Sequence, residues 1–263
     1  MGVTRIVLLA VVGFVAGVFA SITGGNSLLT VPVMMFAGMD AAGAVATNMF
    51  VLASLSLGAA VRFLRARAVP VHPTAGLILV SVPGSVLGAF LAVLMSELAL
   101  RSIIAVAMVA MGFLLAFQPQ LGASRRERSP RMRVVGYVAM AAWGVYGGMF
   151  SGGYATVLTL ACVAFFGLRL LEGIAVTKVV NLAGSLAATL VFVVEGRVQW
   201  GIGLPMSAAA LLGGWAGAHL ALRWGPQPVR RLLFVVVTGL GAKLVYDAER
   251  AWVPRQGAAT PDK

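Results

Sequence analysis

The sequence predicts an all-α, polytopic membrane protein of about 8 spans, in two repeated halves that each hold a glycine-broken or re-entrant helix. Three observations predict it. Apolar residues make up 60% of the 263 and charged residues 11%, where a soluble domain carries roughly 25% charged residues. Long runs free of Asp, Glu, Lys and Arg follow one another along the chain. The second half repeats the first at a fixed offset of 130 residues.

The composition excludes a soluble globule, a disordered chain and a disulfide scaffold, because only a bilayer accommodates so much apolar surface. The net charge of +12 does not indicate nucleic acid. The basic residues punctuate the apolar runs, where the positive-inside rule places them. The single cysteine, Cys162, excludes an internal disulfide and a cysteine zinc site, and reads as a packed thiol.

The first uncharged run, 6–39, has 34 residues. As one straight helix it would reach ~50 Å, well beyond ~30 Å of hydrocarbon, whereas two crossings need ~40 residues. Its middle, Thr23-Gly24-Gly25-Asn26-Ser27, marks a break followed by a short helix of about 11–14 residues that cannot cross alone. Residues 5–22 resemble a signal peptide in pattern. Their counterpart at 134–152 is internal, so the N-terminus is expected to be mature structure. Runs 41–61, 68–96 and 102–124 each suit one crossing. A basic linker, 119–133, follows the first repeat, 1–118. The second repeat, 134–248, opens with another anomalous run, 134–168, broken at Ser151-Gly152-Gly153-Tyr154. The stretch 173–194 is interrupted by Lys178, 198–222 suits one crossing, and 228–248 carries Lys243. A polar tail, 249–263, closes the chain.

The repeat pairs Gly17 with Gly147, Ser21 with Ser151, Thr47 with Thr177, Arg67 with Arg197 and Gly84 with Gly214. Paired halves with paired interrupted helices point to a secondary transporter and to its binding site. The arginines after 61 and in the linker are expected to face the cytoplasm. If each break lies within one crossing, the halves are parallel. If each is a turn-back, they are inverted, an arrangement transporter halves commonly use. Charge counts separate the two poorly.

The string Gly17-Val-Phe-Ala-Ser21-Ile-Thr-Gly24-Gly25-Asn26, with Val31-Pro32 and Ala46-Thr47-Asn48, resembles the sulfite exporter TauE/SafE family. So do Gly147-Gly-Met-Phe-Ser151-Gly-Gly153, Val176-Thr177-Lys178 and Glu195-Gly196-Arg197-Val198-Gln199-Trp200. The resemblance spans about 10–248. It implies a multi-pass transporter of the bacterial inner membrane, in a family associated with sulfite and organosulfonates.

Lys178 is the sharpest candidate, because an ammonium within a span costs several kcal/mol and faces a cavity or a partner. It supplies positive charge for an anion, or else snorkels or pairs with Glu172. The breaks contribute Thr23, Gly24, Gly25 and Asn26, and Ser151, Gly152, Gly153 and Tyr154, with Ser27 and Thr156 beside them. Unwound turns expose backbone N–H groups to an oxyanion. Thr47, Asn48, Thr177 and Asn181 form a second polar set, of which Lys178 and Asn181 share a helix face. His219 is a weaker candidate for substrate or proton work. No carboxylate lies deep in a span, and no metal or catalytic motif is visible. The expected partners are a small anionic substrate and the lipid bilayer, with no nucleic acid, no cofactor and no enzyme activity; a homo-oligomer is left open. Export of an oxyanion along the membrane potential by alternating access is the leading expectation. An anion channel or a carrier of another small carboxylate is the alternative.

Overall fold

The computed structural model describes residues 3–116 and 126–225. The expected last span, the polar tail and the first part of the linker lie outside them. Every regular element among the described residues is a helix. They are α1 (Val3–Thr23), α2 (Asn26–Phe36), α3 (Ala41–Arg65), α4 (Val71–Leu94), α5 (Glu97–Ala116), α6 (Pro130–Met149), α7 (Tyr154–Phe166), α8 (Leu170–Val194) and α9 (Trp200–Trp224). By length and composition α3, α4 and α8 suffice to cross a membrane.

Both oversized runs are interrupted at their glycines. The first breaks between α1 and α2, where Gly24 takes a φ of +86°. The second breaks between α6 and α7, where Ser151 and Gly153 take φ of +60° and +79°. The short helices that follow have 11 and 13 residues. Other ends obey ordinary capping. Ser129 accepts from the Met132 N–H ahead of Pro130, Asp40 accepts from the Gly43 N–H, and the Glu172 carboxylate accepts from the Arg169 N–H at 3.0 Å.

Side-to-side contacts give each helix a direction. Along α1 and α9, Gly13 abuts Met206, Gly17 abuts Ala210, and Gly217 abuts Val18 and Ser21, so the two run parallel. Likewise α3 runs with α9, Gly203 meeting Thr47 and His219 meeting Arg62. On α4 and α6, Gly84 meets Ala141 and Gly88 meets Val145, again parallel. A Cβ on Gly88 would collide with the Val145 carbonyl, so only glycine permits this approach. Helix α8 runs with α4, Gly184 lying on Ser85 while Val176 and Val180 share a cluster with Leu77. It opposes α3. Asn181 bonds to Ser56, Ile174 and Ala175 cluster with Ala59 and Phe63, and Ala188 and Phe192 cluster with Leu52.

Thus α1, α3 and α9 point one way, and α4, α6 and α8 the other. Since α1 and α3 are parallel and joined through α2 alone, α2 must return the chain to the end where α1 began. The same holds for α6, α7 and α8. Each break is a turn-back, and the two hairpins enter the bundle from opposite ends. The contacts also correspond under the 130-residue offset: α1–α9 matches α6–α4, and α3–α9 matches α8–α4. The paired α3 and α8 contribute buried polar side chains to the centre, among them Asn48, Ser56, Lys178 and Asn181.

Directions sort the charges as well. Arg62, Arg65, Arg67, Arg126, Arg128, Arg131, Arg133, Arg169 and Arg223 fall at one end of the bundle, with Glu127 and Glu172 among them. Asp40, Glu97, Arg101, Glu195 and Arg197 fall at the other. There the Glu97 carboxylate accepts from the Ala41 N–H at 2.9 Å and pairs with Arg101 at 2.7 Å, tying α5 to the positive start of α3.

Candidate functional site

The tips of the two hairpins meet at the centre of the bundle. The Ser27 and Ser151 hydroxyls are 2.7 Å apart. The Thr156 hydroxyl donates to the Thr23 carbonyl at 2.6 Å. Gly24 packs so close to α7 that a Cβ on it would lie 2.7 Å from the Thr156 backbone nitrogen. The second tip therefore satisfies a carbonyl at the break of the first, as a bilayer interior demands. Tyr146 completes the second tip, its hydroxyl donating to the Gly152 carbonyl at 2.5 Å.

Asn48 joins this cluster from α3. Its Nδ2 donates to the Ser27 hydroxyl at 2.8 Å, and its Oδ1 accepts from Asn26 Nδ2 at 3.1 Å and from the Thr30 hydroxyl. Lys178 joins from α8, and its ammonium donates to the Ala20 carbonyl in the last turn of α1. That carbonyl also accepts from the Gly24 N–H. Lys178 is 2% exposed, so it does not snorkel, and Glu172 is engaged in capping its own helix. An ammonium at a helix C-terminus meets the negative end of the dipole.

The dipoles of the hairpins largely offset one another. Each tip brings together the negative end of one helix and the positive end of the next. Lys178 is the only basic side chain in the predicted set. One buried polar atom in the set, Asn26 Oδ1, has no hydrogen-bond partner, while the buried Tyr154 hydroxyl faces Ser81. An orphaned group of this kind costs about 1–3 kcal/mol.

Of the predicted residues, the structure brings Thr23, Gly24, Gly25, Asn26, Asn48, Ser151, Gly152, Gly153 and Lys178 to the tips or their immediate support. Tyr154 starts α7 at the second tip, but its ring packs on Gly147 in a cluster with Leu77 and Met140. Thr47 faces α9, where its hydroxyl accepts from the Gln199 N–H at 3.0 Å. Thr177 pairs with the Thr159 hydroxyl at 3.0 Å. Asn181 reaches Ser56 at 3.4 Å, one turn from Lys178. His219 is stacked on Trp215 and bonded through Nδ1 to Arg62, toward the arginine-rich end, and neither partner belongs to the tips. Cys162 is packed in the apolar core. Sequence reasoning missed Thr30 and Tyr146. Thr30 stands four residues after Asn26, the spacing of one helix face, which is the signal that was available.

Comparison with known proteins identifies a family of membrane transporters. The sulfite exporter TauE/SafE profile matches residues 9–244. A Haemophilus influenzae protein named "Probable membrane transporter protein" is 30% identical over 247 residues, covering 94% of this chain and 97% of its own. The Escherichia coli K12 "Probable membrane transporter protein YfcA" is 31% identical over 237 residues, covering 90% and 88%. The Bacillus subtilis "Probable membrane transporter protein YunE" is 20% identical, covering 92% and 97%. No solved structure matches the chain. The broken paired helices, the polytopic composition and a profile match over nearly the whole length lead to one conclusion: the chain belongs to the sulfite exporter TauE/SafE family and is a membrane transporter.

Proposed function

We propose that the protein carries a small anion, sulfite or an organosulfonate, across the bacterial inner membrane by alternating access, and that it works as an exporter. The observation that carries this reading is the burial of Lys178 against the last turn of α1, beside the first hairpin tip. A lysine amine removed from water, one helix turn from the Asn181 amide, suits a tetrahedral or pyramidal oxyanion. Repeats 1–118 and 134–248 are read as an inverted duplication around that point. The positive-inside rule assigns the arginine-rich end to the cytoplasm.

An interior-negative potential drives a monovalent anion outward with ~2.3 kcal/mol per 100 mV, so export needs no coupling ion. A channel would require an open path. Ser27 is 1% exposed, Asn48 0%, Ser151 4% and Lys178 2%, which favours a carrier that opens to one end at a time.

The test is sulfite flux from proteoliposomes. Efflux should accelerate under an imposed inside-negative potential, saturate with substrate and show counterflow. Flux that depends strictly on a proton or sodium gradient, or that never saturates, overturns the reading.

A further inference from the structure

We propose that the arginine-rich end holds a second anion site, a pocket for a phosphate-bearing ligand, separate from the hairpin tips. A cavity of about 380 Å³ opens there between the linker and the helix starts. His72 at the start of α4, Arg126 and Glu127 of the linker, Arg133 and Tyr137 of α6, and Phe166 at the end of α7 line it.

The pocket is built by specific contacts. The Arg126 N–H donates to the Gly167 carbonyl at 2.9 Å, which pins the linker over the turn between α7 and α8. Gly167 takes a φ of +68°, and a Cβ there would run into the Arg126 carbonyl. On the inner side, the Tyr137 and Phe166 rings meet edge to face at 4.9 Å and form an apolar wall. Arg128, next along the linker, has its Nε buried without a hydrogen-bond partner.

Two guanidinium groups thus oppose one carboxylate around a single cavity, with an imidazole able to add a third donor. Guanidinium forks match phosphate oxygens two at a time. The aromatic wall beside them suits a ligand whose phosphate is joined to an apolar or uncharged portion. The helix starts α4, α6 and α8 put the cavity at headgroup depth, where basic pockets between spans collect anionic lipid. The shared chemistry is a phosphate group, from an anionic phospholipid or from a free phosphate.

The test uses the purified full chain in phosphatidylcholine nanodiscs and its thermal unfolding midpoint. Inorganic phosphate is added in one arm, phosphatidylglycerol replaces part of the lipid in another, and sodium chloride of equal ionic strength is the control. At least one phosphate source should raise the midpoint above the salt control. A rise with phosphatidylglycerol alone assigns the pocket to a lipid headgroup, and a rise with inorganic phosphate alone to a free ligand. Arg133→Gln should weaken the apparent affinity roughly tenfold, the loss of one charge-assisted contact. Glu127→Gln should strengthen it, a gain that misfolding cannot imitate. Lys178→Ala should leave the phosphate response in place, which separates this pocket from the transport reading. No rise with either source, or equal rises in Arg133→Gln and Glu127→Gln, overturns the proposal.

Discussion

Ser27 and Ser151 sit 124 positions apart in the chain, and their hydroxyl oxygens touch at 2.7 Å. Ser27 also accepts from Asn48 Nδ2, so one hydroxyl joins both hairpins and α3. The contact makes a pairwise coupling energy measurable. A double-mutant cycle of Ser27→Ala and Ser151→Ala should give a coupling of about 0.5–1.5 kcal/mol in unfolding experiments. Strict additivity would mean that the tips do not support each other.

Gly24 should resist substitution and Gly25 should tolerate it. At Gly24 an alanine meets both a φ of +86° and the Thr156 backbone. The conformation alone costs about 1–2 kcal/mol, and a clash with backbone adds to it. At Gly25 the nearest neighbour is the Phe19 ring at 3.3 Å, which can give way. Gly24→Ala should therefore lower yield and unfolding temperature far more than Gly25→Ala, measured side by side in detergent.

Lys178→Met should separate stability from binding. Replacing a buried charge by an apolar chain of similar length is often neutral or stabilising. The unfolding midpoint should hold or rise, while sulfite affinity falls at least about tenfold, the worth of one charged contact. Titration of purified protein checks both. Unchanged affinity would make Lys178 a cap for α1 and no more.

Tyr146→Phe keeps the ring and removes the donor to the Gly152 carbonyl. The orphaned carbonyl should cost about 1–3 kcal/mol. Because the bond braces the second tip, the initial rate of sulfite flux should fall more than the amount of folded protein. Equal losses would assign Tyr146 to stability alone.

Much of this was legible in the sequence because membrane crossing imposes lengths. Two runs too long for one span and too short for two had to be broken, and glycines showed where. Lys178 stood out because a charge in an apolar run is costly. The direction of each half was not legible, since moving one arginine-bearing segment hardly changes the charge balance between the ends. Neighbouring polar residues were also over-grouped. Thr47 and Asn48 are adjacent in the chain, yet a helix turns 100° per residue, so Asn48 reaches the tips while Thr47 holds the start of α9. Thr177 and Lys178 divide in the same way. Tyr146 escaped notice because an aromatic in an apolar helix usually signals packing.

The opposed entry of the hairpins has a mechanical consequence. Each tip rests on the other as well as on its neighbouring helices, so in the proposed carrier withdrawing either one would unseal its own end and leave the remaining one as the plug. Two doors that share a single latch cannot readily swing wide together. On the proposed carrier reading, a passenger held at the latch would see daylight from one side only, and reversing the exit would mean exchanging which loop retreats.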